Sequence, residues 1–424
     1  MESMHVSLAF AAALLLSMAT KLWLSTRQMR HVALHRNEVP AAFAGTVTLA
    51  AHQRAASYTL AKGHFGLWST ALGSVVLLGW TLLGGLDTLN AVLREVLLPG
   101  WGALAYQMAL LTAVAVIGAL IELPLEWIST FRIEQRFGFN RMSLKLWLAD
   151  QAKGALLGAL IGLPLAAVVL WLMGASGGLW WLWAWGTLVG FNLLMLVIYP
   201  TIIAPFFNKF EPLADEVLRQ RVQALMKRCG FAAKGLFVMD GSRRSAHANA
   251  YFTGLGATKR VVFFDTLLQR LSPGEVEAVL AHELGHFKHK HVLQRLLGIF
   301  AMSLAGLALL GWLAGQSGFY AGLGVAPNLD APNDALALLL FMMVLPSFTF
   351  FISPLLAHFS RRHEFQADAY ACAQADGRDL ANALLKLHED NAATLTPDPV
   401  YVRFYYSHPP ASERLAALPA PLAT

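Results

Sequence analysis

Ser272-Pro273-Gly274-Glu275-Val276, running on to Ala281-His282-Glu283-Leu284-Gly285-His286 and then to the apolar stretch 292–316, decides how this chain is read. Ser272 and Glu275 have the spacing of a capping box, and Pro273 falls at the first helical position, where its missing N–H costs nothing. Val276, Leu280 and Leu284 continue an apolar stripe at helical spacing. Residues four apart on a helix share a face, so His282 and His286 can aim two imidazoles at one metal ion. Glu283 lies one residue round, where its carboxylate can take a proton from an attacking water. The pattern predicts that this helix continues through His291 into the span 292–316, which sets His286 ~9 Å from the start of that span at a rise of about 1.5 Å per residue. Ionisable side chains at such a depth are expensive unless they have a function.

Outward from that helix, the composition is that of a polytopic membrane protein. Of 424 residues, 56% are hydrophobic and 14% charged, against about 25% charged in soluble domains. Disorder, a coiled coil and a secreted disulfide scaffold are excluded, the last because Cys229 and Cys372 are the only cysteines. Seven stretches hold the ~20 apolar residues needed to cross a bilayer: 5–25, 66–86, 103–122, 154–174, 180–199, 292–316 and 335–358. The first has Glu2 before it and Lys21, Arg27 and Arg30 at or after its end, the reverse of a signal peptide, and reads as a retained helix. Gly174-Ala175-Ser176-Gly177-Gly178 reads as the tight turn of a helical hairpin. With the N-terminus outside, Arg94 is the only Lys or Arg in the outer segments 1–4, 87–102, 175–179 and 317–334. The inner segments 26–65, 123–153, 200–291 and 359–424 hold nearly all the rest, which puts both long polar regions on the cytoplasmic side. That asymmetry accounts for the net charge of +6 without a nucleic-acid partner.

The expected fold is therefore mainly α. A five-helix membrane domain covers 1–199, and a small α+β domain over 200–424 is interrupted by the sixth and seventh spans. In the second unit, 212–228 reads as a helix with Leu213, Val217, Val222 and Leu225 among charges. The runs 236–240 and 260–264 read as strands, with a third at Asn249-Ala250-Tyr251-Phe252 ended by Thr253-Gly254.

A catalytic zinc usually takes three protein ligands and a water. Ser360-Arg361-Arg362-His363-Glu364-Phe365-Gln366-Ala367-Asp368 returns to the same depth just after the seventh span. Glu364 is favoured as third ligand because it opens an acidic i, i+4 pair and because two His with one Glu is a known catalytic set; His363 and Asp368 are its rivals. Whichever of the acidic pair does not ligate can orient a His from outside. His289 and His291, flanking Lys288 and Lys290, read as interfacial headgroup contacts, and His247 as a solvated loop residue. His408, boxed by Tyr405-Tyr406 and Pro409-Pro410, could lend a second donor to an oxyanion.

With these residues in view, the chain resembles the type 1 CAAX prenyl proteases, integral-membrane zinc metalloproteases that process prenylated C-termini. The resemblance covers roughly residues 50–424. It rests on Glu126 to Asn140 (EWISTFRIEQRFGFN), Ala204 to Leu213 (APFFNKFEPL), Arg243 to Gly254 (RRSAHANAYFTG), Phe264 to Leu268 (FDTLL), His282 to His291 (HELGHFKHKH), Ser360 to Asp368 (SRRHEFQAD) and Ser407 to Arg414 (SHPPASER). It implies one zinc per chain held by His282, His286 and Glu364, with Glu283 as general base. It also implies that Asn249 and His408 face the substrate near the metal, that Asp368 and Arg414 support the site, and that the Asn249 stretch is an edge strand pairing with an extended peptide. Seven helices round a large intramembrane chamber are the fold it implies. Phe287 stands where the family often has Trp, and Phe264 where a Tyr is common.

The function expected is a membrane-embedded zinc metalloendopeptidase working near the cytoplasmic face on a peptide or protein substrate, lipidated or not, in contact with membrane lipid. A monomer is compatible with it, and the sequence leaves the oligomeric state open. The competing readings are a membrane quality-control protease indifferent to prenylation and, from another class, an ion-binding transporter with acids and His along its path. Short outer loops and an Ala- and Leu-rich, Lys-poor composition suggest a bacterial inner membrane, with the endoplasmic reticulum as the eukaryotic counterpart.

Overall fold

The computed structural model describes residues 2–231, 235–253 and 260–418. Long helices fill the first half: Ser3–His35, Leu49–Trp80, Gly85–Ile128, Leu144–Leu157, Leu163–Ala175 and Trp180–Ile198. Among the described residues, six helical stretches are long and apolar enough to cross a membrane: Ser3–His35, Gly85–Glu134, Leu144–Ala175, Gly177–Phe207, His291–Leu313 and Asp334–Gln374. They account for six of the seven expected spans. The exception is 66–86, whose helix stops at Trp80. Gly84 then turns the chain at φ 77°, and a Cβ on Gly85 would lie 2.5 Å from the Gly79 carbonyl oxygen, so the turn needs glycine. His64, Ser69, Thr70 and Ser74 dilute the apolar character of that helix. The hairpin expected at Gly174–Gly178 is present, with Gly177 at φ 62° between Ala175 and Trp180.

The mixed unit is a four-stranded sheet of order β1-β2-β4-β3, from Phe210–Pro212 (β1), Gly235–Met239 (β2), Ala250–Thr253 (β3) and Arg260–Phe264 (β4). β2 and β4 are parallel, with Leu236 beside Val261, while β1 and β3 add antiparallel at the two edges. Three strands lie where the sequence pattern put them, although Gly254 falls outside the described residues. β1 replaces the start of the expected 212–228 helix. That helix is Glu216–Arg228, begun by Asp215, whose carboxylate accepts from the Leu218 N–H. Its buried face is Leu218, Val222, Leu225 and Met226. Val217, expected on that face, is 71% exposed, since the i, i+4 step back from Val222 lands on Leu218.

The motif helix, Pro273–Lys288, starts as the sequence requires. Ser272 Oγ accepts from the Glu275 N–H, and Glu275 Oε2 accepts from the Ser272 N–H at 2.7 Å. Its apolar side, Val276, Leu280 and Leu284, packs with Val261, Phe263 and Leu225 in one buried cluster. It does not run into the membrane span. His289 caps it, Lys290 takes the left-handed conformation at φ 58°, and a new helix begins at His291 and ends at Leu313. The expectation of a continuous helix fails there because one left-handed residue reverses the backbone, and nothing in a Lys announces it.

Candidate metal centre

Two helices build the site. The motif helix supplies His282, Glu283 and His286, and Ser353–Gln374 supplies Glu364 and Asp368. They come unusually close because Gly285 lacks a side chain: a Cβ there would sit 2.9 Å from the Ala367 Cα and 3.1 Å from its carbonyl oxygen. The glycine of the H-E-L-G-H motif is thus a packing requirement, and it brings Glu364 to the two imidazoles.

His282 Nε2 and His286 Nε2 lie 3.2 Å apart. Glu364 Oε2 is 3.5 Å from His282 Nε2, and Glu364 Oε1 is 3.4 Å from His286 Nε2. Both facing nitrogens can offer lone pairs to a metal, because each ring keeps a proton on its other side when the facing one is displaced. His282 Nδ1 donates to Asp368 Oδ1 at 2.8 Å. His291 Nε2 donates to Gln366 Oε1 at 2.8 Å, so its Nδ1 is bare and accepts from His286 Nδ1 at 3.0 Å. Two lone pairs and a carboxylate converge on one point, and Glu364 Oε2 is buried with no hydrogen-bond partner among the described residues. Donors held about 2.0–2.1 Å from a tetrahedral zinc lie about 3.3 Å from one another, so the residues present fit a metal of that kind. Without a metal the two rings differ in charge. Burial alone would press His282 toward neutrality, but the Asp368 and Glu364 carboxylates outweigh it and raise its pKa to about 9. Burial, with His282 beside it, pushes His286 down to about 4.

The remaining expected residues gather here too. Arg414, buried, grips Asp368 with Nε on Oδ2 at 2.8 Å and Nη2 on Oδ1 at 2.6 Å, and its Nη1 is 3.6 Å from Glu364 Oε2. His408 Nε2 is 3.4 Å from Glu364 Oε1. Glu283, pushed up from the ordinary carboxyl range chiefly by burial, faces the same cavity of about 620 Å³ as Asn249, His282, Glu364 and His408. Asn249 leads into β3, which pairs with β4 on one side and is the edge of the sheet. Phe287 fastens that edge to the motif helix, its ring 5.2 Å from Phe252.

Two histidines read as bystanders belong to the architecture. His291, read as a headgroup contact, is 3% exposed, bonded to His286 and stacked on His363 at 4.0 Å. The chain reversal at Lys290 puts it there. His247, read as solvated, stacks on Phe139 at 4.4 Å, shares a 3.0 Å hydrogen bond with Asn391 Oδ1 and lies 3.6 Å from Glu134 Oε2. Glu134 in turn accepts from Tyr58, so His247 ties the loop before β3 to the N-terminal helices.

Membrane-length helices carrying a buried His-His-Glu cluster at their junction with a small sheet define a membrane-embedded metallopeptidase. The chain belongs to peptidase family M48, in its CAAX prenyl protease branch. Residues 28–209 match the family described as "CAAX prenyl protease N-terminal, five membrane helices", and residues 212–422 match "Peptidase family M48". The chain is 32% identical over 401 residues to CAAX prenyl protease 1 homolog of Arabidopsis thaliana, covering 93% of each. It is 34% identical over 328 residues to CAAX prenyl protease 1 of Saccharomyces cerevisiae, covering 74% of this chain and 72% of that one. The crystal structure of S. mikatae Ste24p superposes with a TM-score of 0.89 at 29% identity, covering 98% of this chain and 99% of the other. These relatives are eukaryotic and lend nothing to a bacterial origin.

Proposed function

We propose that this metalloprotease holds one zinc ion through His282, His286 and Glu364 and cleaves the C-terminal region of prenylated proteins at the cytoplasmic face of its membrane. The observation that carries the reading is the spacing of the three ligand atoms, 3.2, 3.5 and 3.4 Å, beside Glu283 in a cavity walled by an edge strand. Zinc, when bound, supplies a Lewis acid for the scissile carbonyl. Glu283 accepts the proton of the attacking water and delivers it to the leaving amine. Asn249 and the free edge of β3 hold the peptide extended by β-augmentation, and His408 donates to the oxygen on which negative charge develops. Asp368 and Arg414 fix the His282 ring.

The same reading keeps a membrane unit at 1–199 and a protease unit at 200–424 that contains the sixth and seventh spans. Seven helices, with Leu49–Trp80 as the second, enclose a chamber that opens to the cavity. The inside-out direction follows from the Lys and Arg distribution. Arg94, the exception on the outer side, is neutralised by Asp330 at 3.2 Å.

The test incubates the detergent-purified, zinc-loaded protein with a farnesylated CAAX peptide and its unprenylated twin, with Glu283→Gln beside the wild type. Cleavage of the lipidated peptide alone, lost in the variant that still binds zinc, is expected. Equal cleavage of both peptides would make this a membrane quality-control protease, and wild-type cleavage by Glu283→Gln would end the mechanism.

A further inference from the structure

A second cavity, of about 940 Å³, adjoins the first, and Ser245 lines both. Its charged wall holds Arg54, Arg141, Arg270 and Lys386 against Glu389 and Asp390. Two of the cations are taken: Arg270 by Asp390 at 2.7 Å and Lys386 by Glu275 at 2.8 Å. Arg54 and Arg141 have no carboxylate partner among the described residues. Arg54 donates to the Phe137 carbonyl and lies over the Phe139 ring at 5.2 Å, and Arg141 has an exposed side chain. Arg54, on the helix Leu49–Trp80, reaches the Arg141 segment through Phe137 and Phe139, and a short antiparallel pairing sets that segment beside Ser245. Asn140 bridges Ser245, with the Arg141 N–H on the Arg244 carbonyl at 3.1 Å and the Ala246 N–H on the Phe139 carbonyl at 3.0 Å.

That place is where the edge strand points a bound peptide. A chain pairing with β3 in the antiparallel sense, the slightly more stable one, runs opposite to β3. Its residues beyond the cut therefore travel from the Thr253 end toward Asn249 and on toward Ser245. Three extended residues cover about 10 Å, along a cavity that both Asn249 and Ser245 line. The end of a short leaving segment is thereby directed past Ser245 to the cavity that Arg54 and Arg141 line. We infer that these two arginines receive the free α-carboxylate of the substrate's C-terminus, so that the enzyme selects peptides ending a few residues past the scissile bond. This inference rests on the proteolytic reading above and deepens it.

Paired peptides differing only in a C-terminal carboxylate or carboxamide test it, with kcat/KM measured for the wild type, Arg141→Gln and Arg54→Gln/Arg141→Gln. A charge-assisted pair lost to an amide costs about 10- to 100-fold, and the wild type is expected to prefer the acid by that factor. The preference falls in Arg141→Gln and approaches unity in the double variant. Equal zinc binding by all three proteins certifies the fold, and Arg141→Gln removes no internal contact if Arg54→Gln proves unstable. A wild type indifferent to the carboxylate, or a preference that survives the loss of Arg141 or of both arginines, overturns the inference. Cleavage of neither peptide by the zinc-bound wild type overturns the proteolytic reading itself, and this one with it.

Discussion

His286 and His291 meet Nδ1 to Nδ1 at 3.0 Å across a break between two helices. The bond fixes the His286 tautomer and leaves Nε2 for the proposed metal, as the bond to Asp368 does for His282. Outer partners of metal-bound His are worth about 10–100-fold in metal affinity. His291→Phe keeps the ring volume and the stack on His363 but cannot accept the proton. Competitive zinc titration should show a loss of that size, while His289→Ala, at an exposed ring, should bind zinc as the wild type does. Equal affinity in both variants would reduce His291 to packing.

The approach of the two site helices at Gly285 gives a second expectation. Gly285→Ala drives a methyl group into the Ala367 backbone, 2.9 Å away, and backbone cannot yield as a side chain can. Overpacking of this kind costs about 1–3 kcal/mol, and moving Ser353–Gln374 outward carries Glu364 away from the imidazoles. Thermal unfolding and zinc affinity should both fall. Gly298→Ala, whose new methyl would have no atom within 4 Å, should not lower either. A stable Gly285→Ala with full zinc affinity would refute the close-packing account.

Much of this site is written in local pattern. Ser272-Pro273-Gly274-Glu275 specifies a helix start through bonds made within four residues, and His282, Glu283 and His286 then follow from helical period alone. The strand at 260–264 is similarly local, a β-branched and aromatic run. Other features depend on how distant segments meet. His291 is an interfacial residue by composition, and only the reversal at Lys290 turns it back to His286. β1 is three residues ending in Pro212, too short for any periodicity and tolerated only because it is an edge. Arg54 and Arg141 share a wall because Arg54 reaches Phe137 and Phe139 from a distant helix while Asn140 bridges Ser245, contacts between segments that no spacing rule connects.

Metal binding should release protons. In the metal-free site neighbouring carboxylates raise His282 to about 9 and burial lowers His286 to about 4, so at pH 7 the first carries a proton on the nitrogen proposed to ligate and the second does not. Zinc binding at pH 7 is expected to release about one proton, and affinity to weaken as pH falls below about 9. Calorimetry in buffers of different ionisation enthalpy reads that number directly. No dependence on buffer would contradict the protonated His282.

Activity should fail on the acid side. In the proposed mechanism Glu283 acts as a carboxylate, and burial holds its pKa above the usual range. Its proton therefore returns at a higher pH than for an exposed Glu, and kcat/KM declines as pH falls through that value. The profile is to be measured with zinc saturating, so that loss of metal does not imitate it. A profile flat down to the pH where an ordinary carboxyl titrates would remove Glu283 as the base.

Arg414 and Asp368 form a bidentate pair with both side chains buried, 2.8 and 2.6 Å between donor and acceptor. Removing one member of such a pair strands the other without water, at a cost of about 3–5 kcal/mol. Arg414→Ala should thus destabilise the fold strongly, and the unheld Asp368 should release the His282 ring and weaken zinc. Arg414→Lys retains the charge but not the fork that makes two parallel bonds, and should fall between Ala and wild type. The diagnostic experiment is the double variant Arg414→Met/Asp368→Asn. With neither charge left buried, it is expected to recover much of the stability that Arg414→Ala loses. Zinc affinity should stay low, because a neutral amide in place of the Asp368 carboxylate holds the imidazole less firmly. Recovery of both would mean that the pair merely fills space, and recovery of neither would place its value in the packing of the arginine stem.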